Sequence, residues 1–452
     1  MLTAETLRTL LDDDLLPSRM PDVGLLVDYL RSGRRHGDPI CLSFGETWSQ
    51  VAPGLVGHLE AEPLHTHGYQ LSLYGLPVLR RQVRETIQCE HRLPAGSAPG
   101  RDFEVAVTWT GTRSAMFDFG RLLRDQDEGD RRTPVVVAAG PSWDYQGVYE
   151  ALGYRVRYHQ LRPERGFAPS DDDLDALLAE IDARPDERLA LVVVNAQHNP
   201  TAVNWDPEFV ASSIRKATGR GAGILVDDAY YAVHDDDVVP TSALAVLLEQ
   251  LADLPAAARR RWLMVRSLGK QFHCNGWGIG AMVADPQTLD LLVNRYRLHN
   301  CLMYGGGYQQ AMARWLADPA SGEFLARQRV TYRQRRMVIG EFLTGRLGYP
   351  TEAVHLGECS SYLMLSVPRE YAPLPDGVER FRWDCFAATG VLLAPAWPWP
   401  YPASVDTPLP YLRMFIGPET ELIRTALTRL ESAGFHHDMP VRRPEPRSVL
   451  MG

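Results

Sequence analysis

Lys270 lies in the turn SLGK (267–270), one residue after the apolar run WLMV (262–265). The chain of 452 residues has 47 lysines and arginines together, and only Lys216 and Lys270 are lysines. Arginine replaces lysine well on a surface, but it does not condense with a carbonyl to an imine at neutral pH. A lysine kept among 45 arginines, in a small-residue turn, is therefore a candidate for covalent chemistry with an aldehyde.

An aldehyde cofactor bearing a phosphate, a pyridine nitrogen, a phenolic oxygen and a flat ring needs a different partner for each part. TWTGTRSAMF (108–117) offers Gly111, Thr112 and Arg113 at the start of a helix, where backbone amides favour an anion. Ser267 adds a hydroxyl. Read alone, Gly-Thr before a helix is equally a turn with a cap. GILVDDAYYAV (223–233) ends a strand with Asp227, Asp228 and Tyr230. A carboxylate beside a pyridine nitrogen keeps it protonated and electron-withdrawing, although an acidic pair there serves equally in a metal site or a helix cap. Asn199, in QHNPT, is a neutral donor or simply an Asn-Pro turn. Trp143, in GPSWDY, is a flat ring at a strand end, or an ordinary core tryptophan.

These residues fall at the ends of regular elements. The runs FEVAVTWT, PVVVAAG, YRVRYHQ, LALVVVNA, GILVDDA, WLMVRS and WGIGAMVA read as seven strands between residues 103 and 285. Stretches with apolar residues at helical spacing separate them: RSAMFDFGRLLR, WDYQGVYEAL, DDDLDALLAEIDA and DPEFVASSIRKA. Near-continuous apolar strands joined by helices predict an α/β fold, a mainly parallel seven-stranded sheet covered on both faces. Ligands gather at the carboxyl ends of such strands. Residues 286–345 read as helices, and the arginines of the last, about 322–346, as a solvated face. SYLMLSV, GVLLAP, YLRMFIG and the helices around them predict a smaller α+β domain. The expected division is 1–68 as an N-terminal part of the small domain, 69–315 as the large domain, 316–435 as the small domain, and 436–452 as a mobile tail. APAWPWPYPASVDTPLP (394–410) reads as a stiff proline-rich loop.

A net charge of −9 argues against nucleic acid or an anionic membrane as a partner. No stretch of about 18 apolar residues predicts a transmembrane helix, and MLTAETLRTLLDDDLLPSRM reads as an amphipathic helix rather than a leader. Six cysteines without CxxC spacing predict reduced thiols and a cytoplasmic protein, with no metal site.

The order YGLPVLR, TGTRSA, PSW, HNPT, DDAY, SLGK, YLRMFIG resembles the fold type I pyridoxal-phosphate enzymes, in particular the class I/II aminotransferase-like group, over about residues 40–430. The resemblance implies pyridoxal 5′-phosphate as cofactor and Lys270 as its Schiff-base lysine and the base that moves the Cα proton. It pairs Asp227 with the pyridine nitrogen, Tyr230 and Asn199 with the phenolic oxygen, and Trp143 with the ring face. Gly111, Thr112, Arg113 and Ser267 match the phosphate cup, Arg413 the clamp on the substrate α-carboxylate, and Gly45 a small residue lining the substrate pocket, with Asn199 also counted among the substrate-binding residues. Tyr74 resembles a tyrosine that reaches the phosphate of the neighbouring subunit, which implies a homodimer.

Gly278 stands where the family usually has a phosphate-neutralising arginine, and Arg113 where it has a small hydroxyl residue. We read Arg113 as supplying that charge; the alternative is a pocket opened for a larger ligand. The segment Tyr304–Gly307 and the proline-rich loop also depart from the family pattern. The resemblance implies an enzyme forming a quinonoid from an α-amino acid. An aminotransferase is the first expectation. The second is a non-transaminating enzyme of the same scaffold, performing γ-elimination, replacement or cyclisation, for example on S-adenosylmethionine. A sensor-type regulator would need a basic DNA-binding extension, which is not visible, and a nicotinamide dehydrogenase would need a GxGxxG motif after an early strand.

Overall fold

The computed structural model describes residues 3–11, 21–33, 35–45, 50–60, 63–108, 110–300, 305–397 and 409–442. Tyr304, most of the proline-rich loop and the last ten residues lie outside them. Twelve strands occur among the described residues: β1 (Ile40–Leu42), β2 (Glu104–Thr108), β3 (Thr133–Gly140), β4 (Arg155–Gln160), β5 (Glu187–Val194), β6 (Gly223–Asp227), β7 (Trp262–Ser267), β8 (Gly280–Ala284), β9 (Val354–His355), β10 (Tyr362–Ser366), β11 (Val391–Pro395) and β12 (Tyr411–Phe415).

The seven expected strands form one sheet in the order β2-β8-β7-β6-β5-β3-β4. Successive side chains point to opposite faces, so Val135, Val137, Val192 and Val194 join one apolar cluster while Val136, Ala138, Leu191 and Val193 join another. Both faces are covered by helices, which is why the strands read as apolar throughout rather than alternating. The pairs β3–β4, β3–β5, β5–β6 and β6–β7 are parallel, and only β8 runs against its neighbours β7 and β2. The carboxyl ends of β2, β3, β5, β6 and β7 therefore meet the amino end of β8 along one edge.

The second sheet has the order β1-β11-β12-β10-β9. β1 pairs parallel with β11, and β12 lies antiparallel between β11 and β10. Tyr230, just beyond β6, belongs to this sheet's apolar cluster, so the loop after β6 ties the two sheets together.

The helix Pro319–Gly345 corrects the expectation of a wholly solvated arginine face. Arg327 and Arg333 are exposed, but Arg335 and Arg336 are only 7% and 2% exposed. Arg336 donates to Asp235 at 3.0 Å and to the carbonyls of Cys359 and Ser360 at 2.7 Å, and it also holds the carbonyl of Tyr362. A buried guanidinium survives only with such a full set of acceptors. The expected mobile tail likewise begins with a packed segment: Met439 is buried, and Arg442 N donates to the Tyr371 hydroxyl at 3.0 Å.

Candidate active site

A pocket of about 510 Å³ opens at the carboxyl edge of the large sheet. Its lining brings together eight residues singled out in the sequence: Gly45, Gly111, Thr112, Arg113, Trp143, Ser267, Lys270 and Gly278. A larger hollow of 720 Å³ lies between residues 94–102 and 259–262, but it holds none of the groups capable of imine chemistry. Chemistry, not size, identifies the site.

β7 ends at Ser267, whose hydroxyl caps the short helix Leu268–Phe272 by accepting from Lys270 N at 3.3 Å. The Lys270 side chain lines the pocket. Its Nζ stands 5.5 Å from the ring centroid of Tyr230. Lys216 differs: it pairs with Asp171 at 2.5 Å and Asp175 at 2.8 Å on the surface.

Asp227 closes β6 and is 6% exposed. Burial pushes its carboxyl above the ordinary range, against the pull of the Tyr145 hydrogen bond and the Lys270 charge. Tyr145 donates to Oδ2 at 2.7 Å, and Ala229 N donates to Oδ1 at 3.3 Å. A cation placed beside this carboxylate would relieve the desolvation, so the acid fits a protonated pyridine nitrogen. Asn195 fixes the setting from behind. Its Nδ2 donates to the Asp227 carbonyl at 2.6 Å and its Oδ1 accepts from Asn199 N at 2.9 Å.

On the side of the small sheet, Arg413 of β12 donates from Nη1 to Asn199 Oδ1 at 3.1 Å and from Nη2 to the Ser43 carbonyl at 3.1 Å. Its Nε is buried without a hydrogen-bond partner. Two restrained nitrogens and one unsatisfied donor suit an incoming carboxylate. The guanidinium lies 4.3 Å over the ring of Tyr362, whose hydroxyl is 3.1 Å from that of Tyr230. Gly45 packs against the same hydroxyl so closely that a Cβ there would come within 2.4 Å of it. Asn275 Nδ2 holds the Gly45 carbonyl at 2.8 Å.

At the opposite end, Gly111 caps the helix Thr112–Gln126 with φ +77°, and its N–H donates to the Gly278 carbonyl at 2.7 Å. Gly278 itself has φ +63°, a left-handed conformation that an arginine there would adopt only with strain. Arg113 lines the pocket but is engaged: it donates to Asp144 Oδ2 at 2.8 Å and lies 4.5 Å over the Trp143 ring. Trp143 also meets Tyr145 edge-on at 5.2 Å. Tyr74 is elsewhere, donating to Asp290 Oδ1 at 2.8 Å.

Sequence reading missed Tyr145, Asn195, Asn275 and Tyr362, together with the apolar wall of Leu7, Leu10, Leu11, Val23 and Leu26 that the first two helices add to the pocket. Tyr145 and Asn195 sit within the motifs already singled out, two residues after Trp143 and four before Asn199. Their place at strand ends was the available signal. Tyr362 reads as one more apolar residue of a strand.

The family signature described as aminotransferase class I and II matches residues 108–376. The chain is 25% identical to the methionine aminotransferase of Escherichia coli over 303 residues, covering 67% of this chain and 70% of that protein. It is 35% identical to the capreomycidine synthase of Streptomyces vinaceus over 196 residues, 43% of this chain and 44% of that one, so that likeness spans under half of either protein. A double mutant of the Thermus thermophilus aspartate aminotransferase has the same fold, with a TM-score of 0.73, 22% identity, and coverage of 93% of this chain and 97% of that one.

Proposed function

Because this chain belongs to the aminotransferase class I and II family, whose members depend on pyridoxal 5′-phosphate, we propose that it transfers the amino group of an α-amino acid, with Lys270 as the covalent anchor. The observation that carries this reading is the convergence of Lys270, Asp227 and Tyr230, at the carboxyl edge of the large sheet, with Arg413 of the small sheet, whose Nε still lacks a partner. The bound cofactor supplies an electron-accepting ring conjugated to the substrate Cα. Lys270 Nζ would hold the cofactor covalently and, as a free amine, would take the proton from the substrate Cα and deliver it again. Asp227 would keep a proton on the ring nitrogen, with Tyr145 holding its carboxylate and Asn195 its backbone carbonyl. Tyr230 and Asn199 Nδ2 donate to the phenolic oxygen. Arg413 grips the α-carboxylate, and Trp143 covers the ring face. Gly111, Thr112, Ser267 and Arg113 receive the phosphate.

The active form in this reading is a homodimer in the cytoplasm. Leu64, Tyr69 and Leu71 are 88%, 66% and 97% exposed in the segment leading to Tyr74, and Tyr69 shares a surface hollow with Tyr308. Such an apolar patch favours a second copy of the chain, against which Tyr74 could turn to the partner's phosphate. The cytoplasmic assignment is supported by free thiols at Cys41, Cys89, Cys359 and Cys385. Residues 69–315 serve as the cofactor domain, with 1–68 and 316–435 completing the smaller one.

A second reading, elimination, replacement or cyclisation with the aldehyde regenerated, draws support from the 35% identical stretch of capreomycidine synthase. One experiment separates the two. Protein loaded with pyridoxal phosphate is mixed with single amino acids, without a keto acid, and the products are trapped. Transamination yields one pyridoxamine phosphate and one keto acid per site. Ammonia or a cyclic amino acid, with the cofactor unchanged, overturns it in favour of the second reading.

A further inference from the structure

Tyr362 of β10 has no assigned part in the reaction, yet it touches both halves of the site. Its hydroxyl lies 3.1 Å from that of Tyr230, and both tyrosines are 3% exposed. Its ring lies under the Arg413 guanidinium at 4.3 Å. The residue is held tightly. Arg336 binds its carbonyl, Phe415 packs at 5.7 Å between centroids, and the hydroxyl abuts the one position in the SFGE segment without a side chain, Gly45.

A phenol has one proton to give. When two phenols meet, one donates and the other keeps its proton for a third group. In the structure Tyr230 donates to Tyr362; with its proton turned instead to the cofactor's phenolic oxygen, the Tyr230 oxygen would be left to accept, and the pair would reverse so that Tyr362 donates to Tyr230. Donation into Tyr230 strengthens the bond that Tyr230 makes in turn, as in any hydrogen-bonded chain sheltered from water. Meanwhile, a guanidinium stacked on a ring is restrained in plane while its edge stays free for a carboxylate.

We propose that Tyr362 is a positioning residue with two separable actions: its hydroxyl directs the Tyr230 proton onto the cofactor's phenolic oxygen, and its ring holds Arg413 flat for the substrate carboxylate. This rests on the reading of Lys270 and Tyr230 as cofactor residues. The structural support for the coupling is direct, since one side chain contacts the group that tunes the cofactor and the group that binds the substrate.

The test uses the holoenzyme and two substitutions. Tyr362→Phe removes the hydroxyl and keeps the ring; Tyr362→Leu removes both. The visible absorption of the lysine-bound cofactor is titrated with pH, and KM for the amino acid is measured alongside. With weaker donation to the phenolic oxygen, the neighbouring imine nitrogen holds its proton more tightly. Tyr362→Phe is therefore expected to raise the spectral midpoint by roughly half a pH unit while leaving KM within about twofold. Tyr362→Leu is expected to raise KM about tenfold as well. In a Tyr230→Phe background, Tyr362→Phe should shift the midpoint no further, because the hydroxyl acts only through Tyr230. A midpoint identical to the parent's in Tyr362→Phe, or a full additional shift in the Tyr230→Phe background, overturns the first action. An unchanged KM in Tyr362→Leu overturns the second. A parent protein without any lysine-dependent visible band would instead sink the cofactor reading on which the proposal stands.

Discussion

Tyr145 donates its hydroxyl proton to Asp227 Oδ2 at 2.7 Å, and both side chains are almost wholly buried. It is the only side-chain hydrogen bond to this carboxylate among the described residues. The acid proposed to face the cofactor nitrogen is thus steered by a residue only two positions beyond Trp143, the tryptophan proposed to cover the ring. Tyr145→Phe removes a bond to a charged group, which contributes about 1.5–3 kcal/mol. We expect kcat/KM to fall about 10- to 100-fold, with the fold intact by circular dichroism. A variant as fast as the parent would show that Ala229 N alone holds the carboxylate.

Asp227 also predicts a conflict between stability and function. Burial raises its folded pKa above the unfolded value, so the folded state binds the proton more tightly. Its contribution to stability is therefore full at low pH and declines as pH rises through the folded pKa. Asp227→Asn in the cofactor-free protein should melt at the parent's temperature or higher at pH 7, whereas its activity with cofactor should drop by at least about a hundredfold. Differential scanning calorimetry of both proteins at pH 5 and pH 7 checks the sign. A large loss of stability at pH 7 contradicts it.

The two lysines offer a matched contrast. Lys270→Ala should abolish the visible band of the bound cofactor and reduce turnover by at least about a thousandfold. Lys216→Arg keeps the charge opposite Asp171 and Asp175 on the surface and should change stability by less than about 0.5 kcal/mol, with full activity. Retained activity in the first variant, or a lost band in the second, would reverse the assignment.

The residues that the sequence made legible were those whose role is fixed by local chemistry. Seven strands of the large sheet announced themselves as near-continuous apolar runs because both sheet faces are covered, and Lys270, Asp227 and Asn199 lay at their ends. β1 has three residues and β9 only two, too short for any period to appear. Tyr362 and Tyr145 acquire their meaning from partners 132 and 82 positions away, which no local pattern encodes. Arg335 and Arg336 read as surface because their neighbours are arginines too. Carbonyl groups from the segments 356–362 and 416–417 make the interior tolerable for them, and those acceptors exist only after folding.

Arg113 can be tested in both directions. It lines the end of the pocket proposed for the phosphate but shares its charge with Asp144. Arg113→Ala should weaken cofactor binding about three- to tenfold. Asp144→Asn should tighten it by a few-fold, since asparagine can still cap the helix Tyr145–Tyr149 through Gly147 N. Equilibrium dialysis of pyridoxal phosphate against each variant decides. Unchanged affinity in Arg113→Ala would mean that the charge missing at Gly278 is not replaced from this side.

Acid lability should be set in part by buried histidines beside the HNPT turn. His159 is buried near Trp205 and Phe209, its Nδ1 without a partner, and burial drives its pKa down to about 4 against the pull of Asp173. The folded state keeps the ring neutral, while the unfolded chain takes up a proton below about pH 6.5. Stability from this group is therefore full above that pH and lost as pH falls towards 4, at about 1.4 kcal/mol per pH unit. His198, stacked on Trp205 at 5.3 Å, is shifted in the same direction, to about 3. Replacing His159 by leucine removes one titrating ring and one unsatisfied nitrogen together. Between pH 6.5 and 5, His159→Leu should lose roughly 2 kcal/mol less stability than the parent in urea titrations. Parallel pH profiles for the two proteins would mean that His159 takes up its proton in the folded state as readily as in the unfolded chain.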